Sequence, residues 1–387
     1  MVFFAVMVFI LIFIIVLLAT HALLIENYRK WFLKIETFTP SPAILPGITF
    51  TIIIPARNEE NQIGLCLETV LSQDYTNHLF EVIVADDYST DNTVGVIQSL
   101  QKQFSNLSLL QLEKVLQSKQ LNSYKKKAIE LGIQQAKGDW IVTTDADCMV
   151  TKDWLLNFNS FIQQHHSVFV AAPVKFINTG SFVSIFQCLD FMSLQGITAA
   201  SVYHGFHSMC NGANLAYSKK VFYEVGGFKG IDNIASGDDM LLMHKIYVRF
   251  KKQVHFLFAQ MSIVETQPMK TWKDFFNQRI RWASKADKFD DKRIFAVLIF
   301  IYLFNLSFLF LPFAAIWHEK VGLYLLAMIA AKTIIELRFM IPVAGFFKER
   351  NLLWWFPIMQ PFHIVYTVIA GWLGKFGKYT WKGRVVK

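Results

Sequence analysis

Charge is scarce in this sequence: only 17% of its 387 residues are Asp, Glu, Lys or Arg, against 53% hydrophobic residues that include 37 Phe. That balance excludes an ordinary soluble protein, because apolar surface on this scale has to face lipid. Cysteine is also sparse. Cys66, Cys148, Cys188 and Cys210 form no C-x-x-C pair and have no partner histidines, which argues against a zinc site or a disulfide framework and suits a reducing, cytosolic middle segment. The net charge is +9, yet Lys and Arg never gather into one basic stripe interleaved with aromatics, so no nucleic-acid partner is expected. They cluster beside the hydrophobic runs instead, as Arg29, Lys30 and Lys34 do, where they suit a cytoplasmic leaflet and the positive-inside rule.

Both ends of the chain lack charge over long stretches. From Met1 to Ile25 the only polar interruptions are Thr20 and His21, enough apolar length to span a bilayer. A cleaved signal peptide fits less well, since no basic n-region precedes the run. Residues 26–46, with Pro40, Pro42 and Pro46, form a juxtamembrane linker, and 47–290 a mixed, charge-bearing domain that the basic flank places in the cytoplasm. Residues 291–374 hold two or three further hydrophobic segments. Ile294–Trp317 is uncharged and reads as a spanning helix; Val321–Phe347 carries Lys332, Glu336 and Arg338, costly in lipid unless paired, and Lys332 and Glu336 have i,i+4 spacing. Leu352–Gly374 contains Pro357 and Pro361. If all three span, the basic tail 375–387, with Lys375, Lys378, Lys382, Arg384 and Lys387, ends outside; one segment is therefore expected to be re-entrant or interfacial. The protein reads as a multi-pass protein of the inner, cytoplasmic membrane.

The middle domain alternates short apolar strands with helical patterns, the signature of an α/β fold. Strands are expected at Phe50–Pro55, Glu81–Ala85, Leu107–Leu112 and Trp140–Thr144, and helices at Glu60–Leu71 and Lys126–Ala136. Strand ends at Pro55, Asp86 and Asp145 would then lie along one edge of a mostly parallel sheet, where open α/β folds bind ligands.

The sharpest local signal is Asp145-Ala146-Asp147, directly after an apolar strand. Two carboxylates one residue apart can hold a hard divalent cation, Mg²⁺ or Mn²⁺, that completes its shell with phosphate oxygens; a solvated turn has the same composition. Asp86-Asp87-Tyr88-Ser89-Thr90-Asp91 follows another strand, and its acids can accept hydrogen bonds from a base or ribose, while Ser89, Thr90 or Asp91 also suits a cap for the helix starting near Asn92. In Tyr124–Lys127 one lysine suits a nucleotide and the others a solvated helical turn. Asn211-Gly212-Ala213-Asn214 and Gly226-Gly227-Phe228 suit turns. Phe182–Ala200 is apolar enough to lie on the bilayer and guide a lipid acceptor, or to serve as a core helix.

Taken in order, Ile54–Glu59 (IPARNE), Asp86–Asp91 (DDYSTD), Lys125–Ala128, Asp145–Asp147, Ser236–Asp239 (SGDD) and Gln278-Arg279-Ile280-Arg281-Trp282 resemble a family-2 glycosyltransferase over roughly residues 50–285. The resemblance implies a GT-A fold, a Rossmann-like mixed sheet with helices on both faces, here with transmembrane helices at both ends. The Q-x-x-R-W signature resembles that of membrane-integrated synthases of chitin, cellulose, hyaluronan and poly-N-acetylglucosamine, and of ceramide glucosyltransferase. It implies that Pro55, Arg57, Glu59, Asp86, Asp87, Lys127 and Asp145 contact the nucleotide and that Asp145 and Asp147 hold the metal. Asp239 aligns with the catalytic base, beside Asp238 where many members have Glu, with Arg281 assisting. Asn214, Gln278, Arg281 and Trp282 fall on the acceptor or diphosphate side. Arg281 offers a planar, permanent charge to a diphosphate, and Trp282 an apolar face to a sugar ring or to the membrane interface.

The function expected is inverting transfer of a hexosyl or N-acetylhexosaminyl group from a nucleotide-sugar, with UDP the commonest carrier, to a lipid, lipid-linked or glycan acceptor at the cytoplasmic face of the membrane. A processive polysaccharide synthase is the alternative, which few transmembrane segments disfavour. A membrane transporter with a nucleotide-binding regulatory domain is a third class, hinted at only by Lys332, Glu336 and Arg338.

Overall fold

The computed structural model describes residues 2–116, 123–207, 209–234, 236–288, 291–315, 319–377, 379–381 and 384–386. Seven strands form one mixed sheet in the order β3-β2-β1-β4-β8-β6-β9, with β1 Phe50–Ala56, β2 Phe80–Asp86, β3 Leu107–Gln111, β4 Trp140–Thr143, β6 Phe169–Ala171, β8 Leu215–Ser218 and β9 Val254–Phe256. A second, three-stranded sheet sets β10 Val264–Thr266 between β5 Cys148–Met149 and β7 Val174–Phe176. The first four strands pair in parallel, whereas β8 runs antiparallel to both β4 and β6. Phe50, Ile52, Ile53 and Ile54 are all fully buried, the continuous apolar run that a strand covered on both faces requires.

The covering helices are α2 Ile63–Leu71, α3 Thr93–Gln101, a single turn α4 Leu112–Val115, α5 Tyr124–Gln135, α6 Trp154–His165, α7 Phe182–His204, α8 Lys219–Glu224, α9 Met240–Arg249 and α10 Trp272–Ala283. The expected helix from Glu60 starts later, at Ile63, because the amides of Glu59 and Glu60 bond to Thr93 Oγ1 and Asp91 Oδ2 of the neighbouring loop. Gly138 is needed where α5 returns to β4: a Cβ there would sit 2.5 Å from the Thr51 nitrogen.

Helix α1 Val2–Phe32 continues past the expected end at Ile25, and its last turns are packed into the protein. Tyr28 hydroxyl lies 3.0 Å from His207 Nε2, and Phe32 meets Phe258 edge-on at 5.1 Å. At the other end come α11 Lys292–Ala315, α12 Glu319–Phe346 and α13 Phe356–Phe376, the last entered through a 3₁₀ turn at Arg350–Trp355. Among the described residues, four segments are long and apolar enough to cross a membrane: Leu11–Phe32, Phe182–His204, Lys292–Pro312 and Arg350–Phe376. The second is a core helix, most of it buried against α1, α12 and the sheets, so its apolar face is spent inside the protein. Trp317 and the tail residues Lys378, Lys382 and Lys387 lie outside the described residues.

The acidic and basic residues of α12 are paired as their spacing requires. Lys332 Nζ lies 2.7 Å from Glu336 Oε1 and donates to Gln360 Oε1 at 2.9 Å; Gln360 Nε2 donates to Glu336 Oε2, and His21 Nε2 sits 2.9 Å from Glu336 Oε1. This network joins α1, α12 and α13, and removing Lys332 or Glu336 alone would leave the other's buried charge uncompensated.

Candidate active site

The register Ala56↔Asp86 and Ile53↔Thr143 brings the carboxyl ends of β1, β2 and β4 to one edge of the sheet. Just beyond that edge two loops are knitted together. Arg57 Nη1 donates to the carbonyls of Asp87 (2.7 Å) and Tyr88 (3.2 Å), Asn58 N to Ser89 Oγ (3.0 Å), and Thr90 N to Asn58 Oδ1 (2.8 Å). Asn58 and Tyr88 both take positive φ, 51° and 55°, at these tight turns. Asp91 accepts from the amides of Thr93 and Glu60, so the capping role and the shaping of the edge coexist in one residue. Asp86 is buried, which pushes its carboxyl above the usual range, and its Oδ1 has no hydrogen-bond partner among the described residues.

Asp145 and Asp147 lie two and four residues past β4. Lys125, at the start of α5, donates to Asp145 Oδ1 at 2.7 Å and lies 3.5 Å from Asp238 Oδ2, so one ammonium joins the two acidic motifs. Lys127, expected at the nucleotide, instead pairs with Glu130 at 2.8 Å on the solvent side of the same helix. The correction follows from helical geometry: residues two apart on a helix point to nearly opposite faces.

Asp238 and Asp239 follow Gly237, whose φ of +81° turns the chain into α9. Asp239 caps that helix: its Oδ1 accepts from Met240 N (2.7 Å) and its Oδ2 from Gly212 N (3.1 Å). Gly212 is anchored in turn by Thr143 Oγ1. Burial would raise the Asp238 carboxyl, but the ammonium groups of Lys125 and Lys285 outweigh it and hold Asp238 below the usual carboxylate range.

Asn214 is not on the acceptor side. It is fully buried, accepts from Trp154 Nε1 (2.9 Å) and donates to the carbonyls of Pro173 and Ser262 (2.8 Å each), so both its N–H bonds are spent within the core. The neighbouring Gly212 amide is the group of that turn that reaches the site.

Gln278, Arg281 and Trp282 share one face of α10 and line the same cavity as the acidic groups. Arg279 turns inward, donates to Asp190 Oδ2 from Nε (3.0 Å) and Nη2 (2.7 Å), and lies 4.2 Å from the centre of the Trp282 ring. Tyr366 of α13 also donates to Asp190, so α7, α10 and α13 meet at one carboxylate. Sequence reasoning takes Lys127 rather than Lys125 as the nucleotide lysine, gives Arg279 no role of its own, and passes over Lys285 and Asp190; a single acid within the apolar run of α7 is the available signal for Asp190.

One continuous cavity of about 900 Å³ connects these parts. Pro55, Arg57, Glu59, Asp87, Asp145 and Asp147 line one end. Asp238, Asp239, Gln278, Arg281 and Trp282 line its middle, while Asp86, Lys127 and Asn214 do not line it. Beyond Trp282 it continues between α1, α11, α12 and α13, where Ile25, Leu298, Tyr302, Met340 and Met359 give an apolar wall. Among the described residues no cluster of three or more His, Cys, Asp or Glu side chains could hold a metal. Asp145 and Asp147 by themselves match a hard cation that keeps waters and takes substrate phosphate oxygens, since such ions need only one or two protein carboxylates.

Comparison with known proteins agrees with this geometry. Residues 51–226 match Glycosyl transferase family 2, and residues 140–373 match Glycosyl transferase family group 2. The chain is 32% identical over 130 residues to the poly(ribitol-phosphate) beta-N-acetylglucosaminyltransferase TarS of Staphylococcus aureus, a match covering 33% of this chain and 21% of that protein. It is 23% identical to the probable glycosyltransferase YdaM of Bacillus subtilis over 69% of this chain and 63% of that one. The poly-beta-1,6-N-acetyl-D-glucosamine synthase of S. aureus is 26% identical over 62% of this chain and 54% of its own. In structure the chain resembles the mannosyltransferase PcManGT of Pyrobaculum calidifontis, solved with GDP-Man and Mn²⁺, with a TM-score of 0.59, 19% identity, and coverage of 92% of this chain and 99% of that one. The chain belongs to glycosyltransferase family 2 and is built on the GT-A fold.

Proposed function

We propose that this glycosyltransferase moves one sugar, with inversion, from a UDP-sugar to a lipid-borne acceptor at the cytoplasmic face of a membrane. The observation that carries this reading is the continuity of the cavity, which runs from Asp145 and Asp147, past Asp239 and Trp282, into an apolar wall between α1, α11 and α13. A hydrocarbon chain held at Ile25, Leu298 and Met359 would leave its polar head, and the hydroxyl to be glycosylated, toward Asp239.

The residues then divide the work by position. Asp87, Arg57 and Glu59 border the nucleoside end, while Asp86 lies buried behind them and shapes that edge rather than meeting the base. Asp239 takes the proton of the acceptor hydroxyl as that oxygen attacks the anomeric carbon; its geometry is fixed by the Met240 and Gly212 amides rather than by a flexible rotamer. Attack from this side displaces the diphosphate on the opposite face, which inverts the configuration. Arg281 sets a permanent charge beside the leaving diphosphate, and Trp282 offers a ring face to the acceptor sugar or headgroup. A divalent cation on Asp145 and Asp147 would neutralise charge developing on the leaving group. The mannosyltransferase solved with GDP-Man and Mn²⁺ supports a nucleotide-sugar donor and a cation of this kind.

A processive synthase is the second reading, favoured by the Q-x-x-R-W helix and by similarity to the poly-N-acetylglucosamine synthase. The network of His21, Lys332, Glu336 and Gln360 ties α1, α12 and α13 together beside the deep end of the cavity, an arrangement better suited to a closed pocket than to a polymer conduit. Incubating detergent-solubilised protein with UDP-sugars, Mg²⁺ or Mn²⁺ and membrane lipid, and measuring UDP release, distinguishes the outcomes. Donor-specific release that is lost in Asp239→Asn supports the assignment; equal turnover in parent and variant sinks it.

A further inference from the structure

Lys126 has no part in the chemistry described above, although it neighbours Lys125. It is buried, with 2% of its surface exposed, and its ammonium donates to the carbonyls of Ile231 (2.7 Å), Ile234 (2.6 Å) and Ser236 (2.9 Å). All three of its N–H bonds are therefore spent on the backbone immediately preceding Gly237-Asp238-Asp239. A buried ammonium whose hydrogen bonds go to carbonyls rather than to a carboxylate is expensive, so its retention calls for a reason. A second lysine grips the same stretch upstream: Lys245 Nζ donates to the carbonyls of Gly227 (2.6 Å) and Lys229 (3.0 Å).

From this geometry we infer that Lys126 is a positioning residue: its ammonium is the template around which the segment before Asp239 folds, and it thereby holds the proton-accepting carboxylate against the donor site. The inference rests on the proposed role of Asp239. Carbonyl groups repel one another, and three of them converge on one point only while a cation with three donors sits between them. Lys125 and Lys126, successive on α5, thus act on two parts of the same site. The first reaches the carboxylates Asp145 and Asp238, and the second reaches the backbone that presents Asp239. Helix α5 also packs against β1 and β2, so the base is referenced to the strands that border the nucleotide.

Burial pushes the Lys126 ammonium down to about 8, with Asp238, Asp239 and Asp232 holding it up and Lys285 pressing it further down. The depression is the cost of a buried charge that the three carbonyls only partly offset, so by linkage the segment is not released as pH rises through that value.

Two measurements test the inference separately from the transferase reading. In full-length Lys126→Met, amide exchange of the segment before Asp239 should quicken by about tenfold relative to the parent at the same pH while the strands β1 and β2 stay protected. Unchanged protection of that segment overturns the inference whatever the enzyme's activity. In Lys126→Met, kcat should fall by about 10²-fold with the donor KM within about threefold, the signature of a misplaced base rather than lost binding. A variant with parental kcat overturns it as well. Should Lys126→Met not fold, Lys126→Gln, which keeps two of the N–H bonds, is expected to retain donor binding with an intermediate kcat.

Discussion

At the strand edge the backbone places the chemistry, whereas in the half built on the long apolar helices side chains do. Asp86 ends β2, Asp145 and Asp147 follow β4, and Asp239 caps α9, so each acid is aimed by the hydrogen-bonded element it terminates. Around the deep part of the cavity, position is set by contacts between remote residues: His21 and Glu336 are 315 positions apart, and Asp190 and Arg279 are 89 apart. The two halves should therefore respond differently to substitution. Changes at the strand edge should alter turnover and leave the fold intact, whereas changes in the half built on the long apolar helices should loosen helix packing first and alter the acceptor second.

The largest expected effect lies at the meeting point. Asp239→Asn should lower kcat by about 10²–10⁴-fold, the usual contribution of a positioned base, while UDP binding measured by calorimetry stays within about twofold. Asp147→Asn should come next, raising the metal concentration needed for half-maximal UDP release by about tenfold or more, since it removes one of two protein ligands. A metal requirement identical to the parent's would break the assignment of that edge.

In the other half, Asp190→Leu should destabilise the protein by about 3–5 kcal/mol, because it strands the buried Arg279 guanidinium. Thermal unfolding in detergent measures this, and Asp190→Leu combined with Arg279→Met should recover most of the loss. If the double variant is stable yet has a raised acceptor KM, the clamp positions Trp282 as well as stabilising the helices. The smallest effect is a contrast on one helix: Lys127→Ala should change stability by no more than about 0.5 kcal/mol and leave the donor KM alone, as a solvent-side residue does. Lys125→Met should impair turnover strongly. Equal effects would contradict the placement of the two lysines.

This division also explains what can be read from the sequence. The strand runs FTIIIPA, FEVIVAD and WIVT, the acidic motifs after them and the i,i+4 pair on α12 are local patterns, and each appears within a residue or two of its expected place. Sequence favours Lys127 over Lys125 only because three consecutive lysines look alike until the first turn of α5 fixes which one faces Asp145. Asn214 reads as an acceptor-side residue because an Asn in a turn suits a ligand as well as a core; only Trp154, Pro173 and Ser262, far off in the chain, show that its amide is consumed. The role of Asp190 depends on α10 and α13 reaching it, which no local pattern encodes.

The central claim is that donor and lipid-borne acceptor meet in one cavity. The most direct measurement is transfer of labelled sugar from UDP-sugars in vesicles made with membrane lipid extract, followed by partition of the product between organic and aqueous phases. The account predicts label in an organic-soluble product carrying a single added sugar, lost in Asp239→Asn and reduced in Leu298→Trp, which narrows the apolar wall. Label found only in a long water-soluble polymer, or transfer that is indifferent to Leu298→Trp, would contradict it.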